Sequence, residues 1–409
     1  MSTHAPARPS YAAVLRVPHA RRTFASALTA RLSYGTVSLS VLLSVTRATG
    51  SYAVSGAVMS LFGAMTVFLM PIRASLIDCY GPRRVLPPMS MLYGTLLCAL
   101  AALTWRPGAP PVALGAAAAL AGACAPPLGP TMRAVWSELV ADRGLLQRAY
   151  GLDGVAEELL YVSGPALVGA LLGFAPPASG ILLSALLIVG GTWAFVSSPA
   201  LPGPRPAAPK EQRGGGLRGL WAPVAVATGA GVALSGAELL MMAFTTARLY
   251  DPALVPWVLA ALSAGSAVGG LVNGAVNWRV PARVRLRGFA VGLGLVVAAA
   301  GLAPDLWTLA GAMALAGVFI APTLTTAYLL AAEMADEGSG TRAGAWVNAG
   351  VNAGSSGGAM VAGALIGRVP LGVCFLLAGA AAFVAALTVG SRAAGAAPVP
   401  QTAAPCQLR

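Results

Sequence analysis

Leu120-Ala121-Gly122-Ala123-Cys124-Ala125-Pro126-Pro127 and Leu315-Ala316-Gly317-Val318-Phe319-Ile320-Ala321-Pro322 are two versions of one motif, 195 residues apart. Glu138 and Glu333 keep that offset, and after one gap Gly169 and Gly173 meet Gly363 and Gly367 at an offset of 194. A spacing shared across two helices and a loop is hard to obtain by chance, even in Ala-rich sequence. The chain is therefore expected to be built from two parallel repeats, the arrangement of transporters that rock one bundle against another.

The sequence around the motif is apolar throughout. Of 409 residues, 57% are hydrophobic and 10% charged, and the mean hydropathy is +0.76. Soluble domains carry about 25% charged residues. A helix needs roughly 20 apolar residues to cross the hydrocarbon core. Twelve runs qualify, near 24–46, 51–72, 85–105, 110–132, 149–174 and 176–197, then 221–247, 253–277, 286–304, 306–331, 342–367 and 370–390. These are spans 1 to 12. The fold class expected is an all-α membrane protein with two pseudo-symmetric six-helix bundles. Its segments are an N-terminal cytoplasmic stretch 1–22, a bundle 23–198, a Pro- and Gly-rich cytoplasmic linker 199–219, a second bundle 220–390 and a cytoplasmic tail 391–409.

The formal charge of +13 lies in short basic clusters between apolar runs. With the N-terminus cytoplasmic, 21 Arg and Lys fall on that side, Arg73, Arg133 and Arg148 among them, against four outside: Arg47, Arg106, Arg248 and Arg368. This bias places both termini inside. It points to a membrane's cytoplasmic face, and no nucleic-acid partner is expected. The apolar run after Arg8, Arg16, Arg21 and Arg22 is too long for a cleavable signal. His4 and His19 precede every span, which excludes zinc proteases and Ser-His hydrolases. The five cysteines show no metal-ligand spacing, and no phosphate-binding loop is present. No cofactor, no metal and no enzymatic activity are expected. Arg-rich, Lys-poor, Ala- and Gly-rich composition suggests a bacterial source.

Between spans 2 and 3 stands Ala74-Ser75-Leu76-Ile77-Asp78-Cys79-Tyr80-Gly81-Pro82-Arg83-Arg84-Val85-Leu86. It resembles the G-x-L-A-D-R-x-G-R-R-x-x-L loop of the major facilitator superfamily, with Leu76, Asp78, Gly81, Arg83 and Leu86 in place. Ala74, Cys79 and Pro82 depart from it. The resemblance implies a cytoplasmic gate in which Asp78, Gly81, Arg83 and Arg84 latch one side by charge pairing and by contact with a neighbouring helix end. In span 5, Gly164, Pro165 and Gly169 resemble the Gly-Pro motif of the superfamily's antiporters, though Leu160 replaces its first glycine. The arginine that proton-coupled exporters carry early in span 4 has no counterpart between Gly115 and Ala121. In this superfamily spans 2 and 11, and spans 5 and 8, meet between the halves. The small faces Gly350-Gly354-Gly358-Ala362 of span 11 and Gly265, Gly269, Gly270 and Gly274 of span 8 are then sliding surfaces or static packing.

Charge inside the membrane marks the candidate site. A charged residue at a helix centre costs roughly 2.5–3.5 kcal/mol, so each needs a partner or water. Arg31 lies in span 1; Asp153, Glu157 and Glu158 enter span 5 at similar depth. Arg31 is expected to pair with Glu157 or Glu158, leaving the other acid to take and release a proton, unless the pair is a structural lock between spans 1 and 5. Glu238 in span 7, followed by Met241, Met242 and Phe244, suits a cationic or hydrogen-bonding substrate or a proton. Thr323, Thr325, Thr326, Tyr328, Asn348 and Asn352 add neutral polar groups.

These readings converge on a secondary transporter of the inner membrane resembling drug or metabolite exporters. It would move a small organic compound by alternating access, with a proton or other coupling ion and the lipid bilayer as its further partners, and would require no oligomer. An importer of the same fold and a non-transporting sensor remain the alternatives.

Overall fold

The computed structural model describes residues 11–201, 220–251, 254–336 and 338–389. Nearly all of the expected linker, with Arg205, Lys210, Glu211, Arg213 and Arg218, lies outside the described residues, as do the expected tail and Arg8. The first half comprises α1 (Tyr11–Arg16), α2 (Ala20–Thr49), α3 (Tyr52–Phe68), α4 (Met70–Tyr80), α5 (Pro82–Thr104), α6 (Pro111–Cys124), α7 (Leu128–Leu139), α8 (Arg143–Leu172) and α9 (Ala178–Val196). The second comprises α10 (Trp221–Ala247), α11 (Val255–Ala275), α12 (Ala282–Ala300), α13 (Leu306–Met334), α14 (Gly340–Leu365) and α15 (Leu371–Thr388).

Span 2 is the bent pair α3 and α4, span 4 is α6 with α7, and each other span is one helix. Among the described residues nine helices are long and apolar enough to cross a membrane, ten with the bent pair. The spans α12 and α14 are more polar, since Arg283, Arg285 and Arg287 open α12 and Arg342, Asn348 and Asn352 punctuate α14. They complete the twelve by packing along apolar neighbours, α15 and α10.

Local chemistry sets the helix ends. Ser51 accepts from the Val54 amide at 3.3 Å, Asp142 from Leu145 at 2.7 Å and Asp305 from Thr308 at 2.8 Å, each side chain satisfying a first-turn donor. Proline makes the breaks. Pro71 lies in the first turn of α4, where span 2 bends by 41°, and Ala125-Pro126-Pro127 separates α6 from α7.

The repeat is visible in the packing. In the first half α2 packs on α9 and α8, α5 on α9 and α6, and α3 on α6; in the second, α10 packs on α15 and α14, α12 on α15 and α13, and α11 on α13. The motif glycines occupy equivalent crossings. Gly122 lies against the Phe62 carbonyl of α3 and Gly317 against the Leu262 carbonyl of α11, where a Cβ has no room. Between halves, α4 meets α14 and α8 meets α11, as the resemblance implied.

The small faces behave differently from a sliding surface. Gly350, Gly354 and Gly358 pack against Val224, Thr228 and Val232 of α10, and Gly265 and Gly269 against Ala314 and Val318 of α13, all within the second half. Only Gly270 and Gly274 of α11 turn to the first half, towards Gly151 and Tyr11. Small-residue spacing permits close approach without specifying the neighbour.

Candidate functional site

The side chain of Asp142 fixes the start of α8. At 1.5 Å per residue this places Asp153 about 16 Å and Glu157 about 22 Å along the helix, at membrane depth. Four residues apart, they share one face. Arg31 of α2 reaches both, with Nη1 at 2.6 Å from Asp153 Oδ1 and Nη2 at 3.0 Å from Glu157 Oε1. Arg133 of α7 reaches both from the other side, through Nε at 3.0 Å from Asp153 Oδ2 and through Nη2 to Glu157 Oε2. Two guanidinium groups and two carboxylates form a neutral quartet. Asp153 is fully buried, whereas the Glu157 side chain keeps 27% of its surface.

The expected pairing of Arg31 with Glu157 is therefore present, but Arg31 also holds Asp153, and Arg133 supplies a second cation. Counting Arg133 with the basic residues of the cytoplasmic loops is corrected: it is buried, with its guanidinium inside the bundle. So is the same assignment of Arg73, whose Nη1 donates to the Gly122 carbonyl at 2.8 Å and also to Ala125. It fills the carbonyls exposed by the break between α6 and α7.

Glu158 turns away from the quartet. Its Oε1 accepts from Ser266 Oγ of α11 at 3.2 Å, across the halves. Glu238 of α10, in the second half, is exposed. Among the described residues neither has an arginine within 4 Å, in contrast to Asp153 and Glu157. Met242, one turn beyond Glu238, is exposed, while Met241 and Phe244 are buried in the core of the second half.

A polar line leaves the quartet towards the second half. The Arg133 guanidinium stacks over the Tyr328 ring of α13, 3.8 Å from its centroid. Asn348 Nδ2 donates to Tyr328 Oη at 3.4 Å, and Asn352 Nδ2 donates to Asn348 Oδ1 at 2.7 Å. Thr323 instead bonds its own helix at Phe319 O.

The gate residues meet a helix end rather than a charge. Asp78, at the end of α4, accepts from the backbone amides of Thr341 at 3.1 Å and Arg342 at 2.7 Å, in the first turn of α14. Gly81 holds φ at +85°, the left-handed region that lets α4 turn into α5. Arg83 donates to the carbonyls of Ser198 and Leu201 in its own half, and Arg84 is exposed. The Gly-Pro motif divides: Gly164 lies against Gly35 of α2, while Pro165 is exposed and Gly169 has open space where a Cβ would stand.

Further contacts close the arginine-rich end. Gln147 donates to Asn273 O, Arg148 Nη2 to Ala275 O at 3.1 Å and to Asn277 Oδ1 at 3.0 Å, and Arg285 Nη1 to Gln147 Oε1 at 2.6 Å. Tyr11 Oη donates to Leu271 O at 2.6 Å. Sequence reasoning missed Arg133 as a site residue and gave Tyr328 only as a neutral polar group, not as the partner of a buried cation. The available signal was the spacing of Arg133 from Pro127, which places it in the second turn of a new helix.

Comparison with known proteins agrees with this architecture. The family model described as Major Facilitator Superfamily matches residues 23–250. The human organic anion transporter MFSD10 (TETRAN) superposes with a TM-score of 0.70 at 16% identity, covering 91% of this chain and 99% of that one. A bacterial homologue of the iron transporter ferroportin, in an outward-facing state, gives 0.69 at 14%, covering 90% and 96%. The E. coli fucose:proton symporter FucP gives 0.68 at 13%, covering 92% and 99%. No curated protein matches.

Proposed function

The chain belongs to the Major Facilitator Superfamily and is a multi-pass membrane transporter rather than an enzyme; from that premise we propose that it exports a small organic compound from the cell in exchange for protons. The observation that carries this reading is that Glu158 of α8 and Glu238 of α10, carboxylates in opposite halves, have no arginine within 4 Å among the described residues. A carboxylate at membrane depth without a counter-cation is held by water, a proton or a cationic ligand. Asp153 and Glu157 are neutralised by Arg31 and Arg133 and serve the scaffold instead.

The arginine bias supports a cytoplasmic position for the end tied by Asp78, Arg148 and Tyr11, and for both termini, in an inner membrane. The similar structures carry, by name, an organic anion transporter, a homologue of an iron transporter and a fucose:proton symporter, which fixes no cargo. Two unpaired acids favour a cationic or hydrogen-bonding compound over an anion. Gly164-Pro165, resembling the antiporter motif, favours export.

The test is proton release on adding candidate compounds to the purified protein, for wild type and for Glu158→Gln, Glu238→Gln and Glu157→Gln. Release that Glu158→Gln or Glu238→Gln abolishes identifies the coupling acid. Compound binding with no proton movement in wild type rejects proton antiport. Accumulation in inside-out vesicles with an acidic lumen establishes export; uptake only in right-side-out vesicles establishes import.

A further inference from the structure

Arg133 belongs to two networks, one in each half. In its own half it is ion-paired to Asp153 and Glu157, and its backbone carbonyl accepts from Tyr150 Oη at 3.1 Å, which ties α7 to α8. In the other half its guanidinium lies 3.8 Å from the centre of the Tyr328 ring. Tyr328 is itself nearly buried, at 8% exposure, and its hydroxyl is engaged by Asn348. A cation held on an aromatic face away from water is attracted by the ring quadrupole, and the attraction is larger for being desolvated. The two residues lie on opposite sides of the surface that must part when the arginine-rich end opens.

We propose that Arg133 and Tyr328 form a cation–π strut between the halves, through which the charge of the buried acid pair sets how firmly the arginine-rich end is closed. Asp153 and Glu157 hold the Arg133 side chain at the ring, and Glu157 is the less buried of the two, its side chain keeping 27% of its surface. Neutralising Glu157 removes one of the two carboxylates that draw on the Arg133 charge, leaving more of it directed at the ring. Tyr328 is a positioning residue in this scheme and need not touch the cargo. The proposal rests on the alternating-access reading above.

The experiment uses the full chain in lipid nanodiscs, with native cysteines replaced by serine and spin labels on the exposed positions Ala141→Cys and Arg287→Cys, one in each half. The fraction of molecules with that end open is read from the label distances. Tyr328→Phe keeps the ring and is expected to stay within about two-fold of wild type, while mono-, di- and trifluorinated phenylalanine at the same position raise the open fraction stepwise, by about 2- to 30-fold in total. Fluorine weakens the quadrupole with little change in size, so a packing role predicts no stepwise trend, and a flat series overturns the strut. In the Glu157→Gln background the dependence on fluorination is expected to steepen; an unchanged or shallower dependence overturns the link to the acid pair. Label distances that never report an open state under any condition, cargo included, defeat the alternating-access reading, an outcome distinct from an open fraction that ignores fluorination.

Discussion

Arg73 Nη1 and the Gly122 carbonyl are 2.8 Å apart, joining the lower part of span 2 to the point where span 4 breaks. Gly122 sits one turn before the break, and Pro126 and Pro127 cannot supply amides to the carbonyls there. In lipid those carbonyls have no water to turn to, and one guanidinium serves two of them. Arg73→Gln should therefore destabilise the protein by about 2–6 kcal/mol, from a loss of about 1–3 kcal/mol for each of the two carbonyls. Thermal unfolding in detergent measures it. A loss no larger than that of an exposed arginine such as Arg84→Gln would show that the break is satisfied otherwise.

The quartet makes a sharper prediction. Breaking a buried ion pair from one side leaves an uncompensated charge, at a cost of about 3–5 kcal/mol. Asp153→Asn and Arg31→Met should each reach that range, while the double variant, which restores neutrality, should be less destabilised than the sum. Strict additivity in the double-mutant cycle would mean the two residues do not act as a pair.

Asp78 is an anion on the first turn of α14, worth about 0.3–1 kcal/mol. Asp78→Asn keeps an acceptor but removes the charge, so it should raise the open fraction at the arginine-rich end about two- to five-fold, and Asp78→Ala should raise it further. The label distances described above provide the measurement. Wild-type behaviour of Asp78→Asn, with an effect only from Ala, would assign the contact to shape and neutral hydrogen bonding rather than to charge.

Tyr11 lies outside the membrane spans, and burial pushes its phenol above the ordinary tyrosine value, against the opposing pull of Arg148. A raised value means that the contribution of the bond to Leu271 is complete below the ordinary value of about 10 and fades only as pH rises through the folded one. Tyr11→Phe should open that end about two- to ten-fold, the worth of one hydrogen bond. The difference from wild type should be the same at about pH 6 and about pH 9. A difference that titrates near neutrality would implicate another group.

The repeat was legible in the sequence because Gly122 and Gly317 answer to the same constraint, a helix crossing too close for a Cβ, in each half. Asp78 was legible because its neighbours spell a recognisable loop, although the basic residues beside it do not pair with it. Arg133 was hidden by the method that gave the orientation. Counting basic residues by side treats each one as solvated, whereas α7 turns this one inwards. The glycine faces of α14 and α11 were visible as faces, but a spacing of four names no partner, and most of them serve their own bundle. Glu158 and Glu238 are 80 residues apart in sequence, and nothing local to either announces that both would lack an arginine partner where Asp153 and Glu157 have two.

The two seams of the closed end have opposite electrical polarity. At one, the carboxylate of Asp78 sits on the amide end of α14; at the other, the guanidinium of Arg148 sits on the carbonyl end of α11. An anion competing for the α14 amides leaves Arg148 engaged, and a cation competing for the α11 carbonyls leaves Asp78 engaged. No single counter-ion unfastens both.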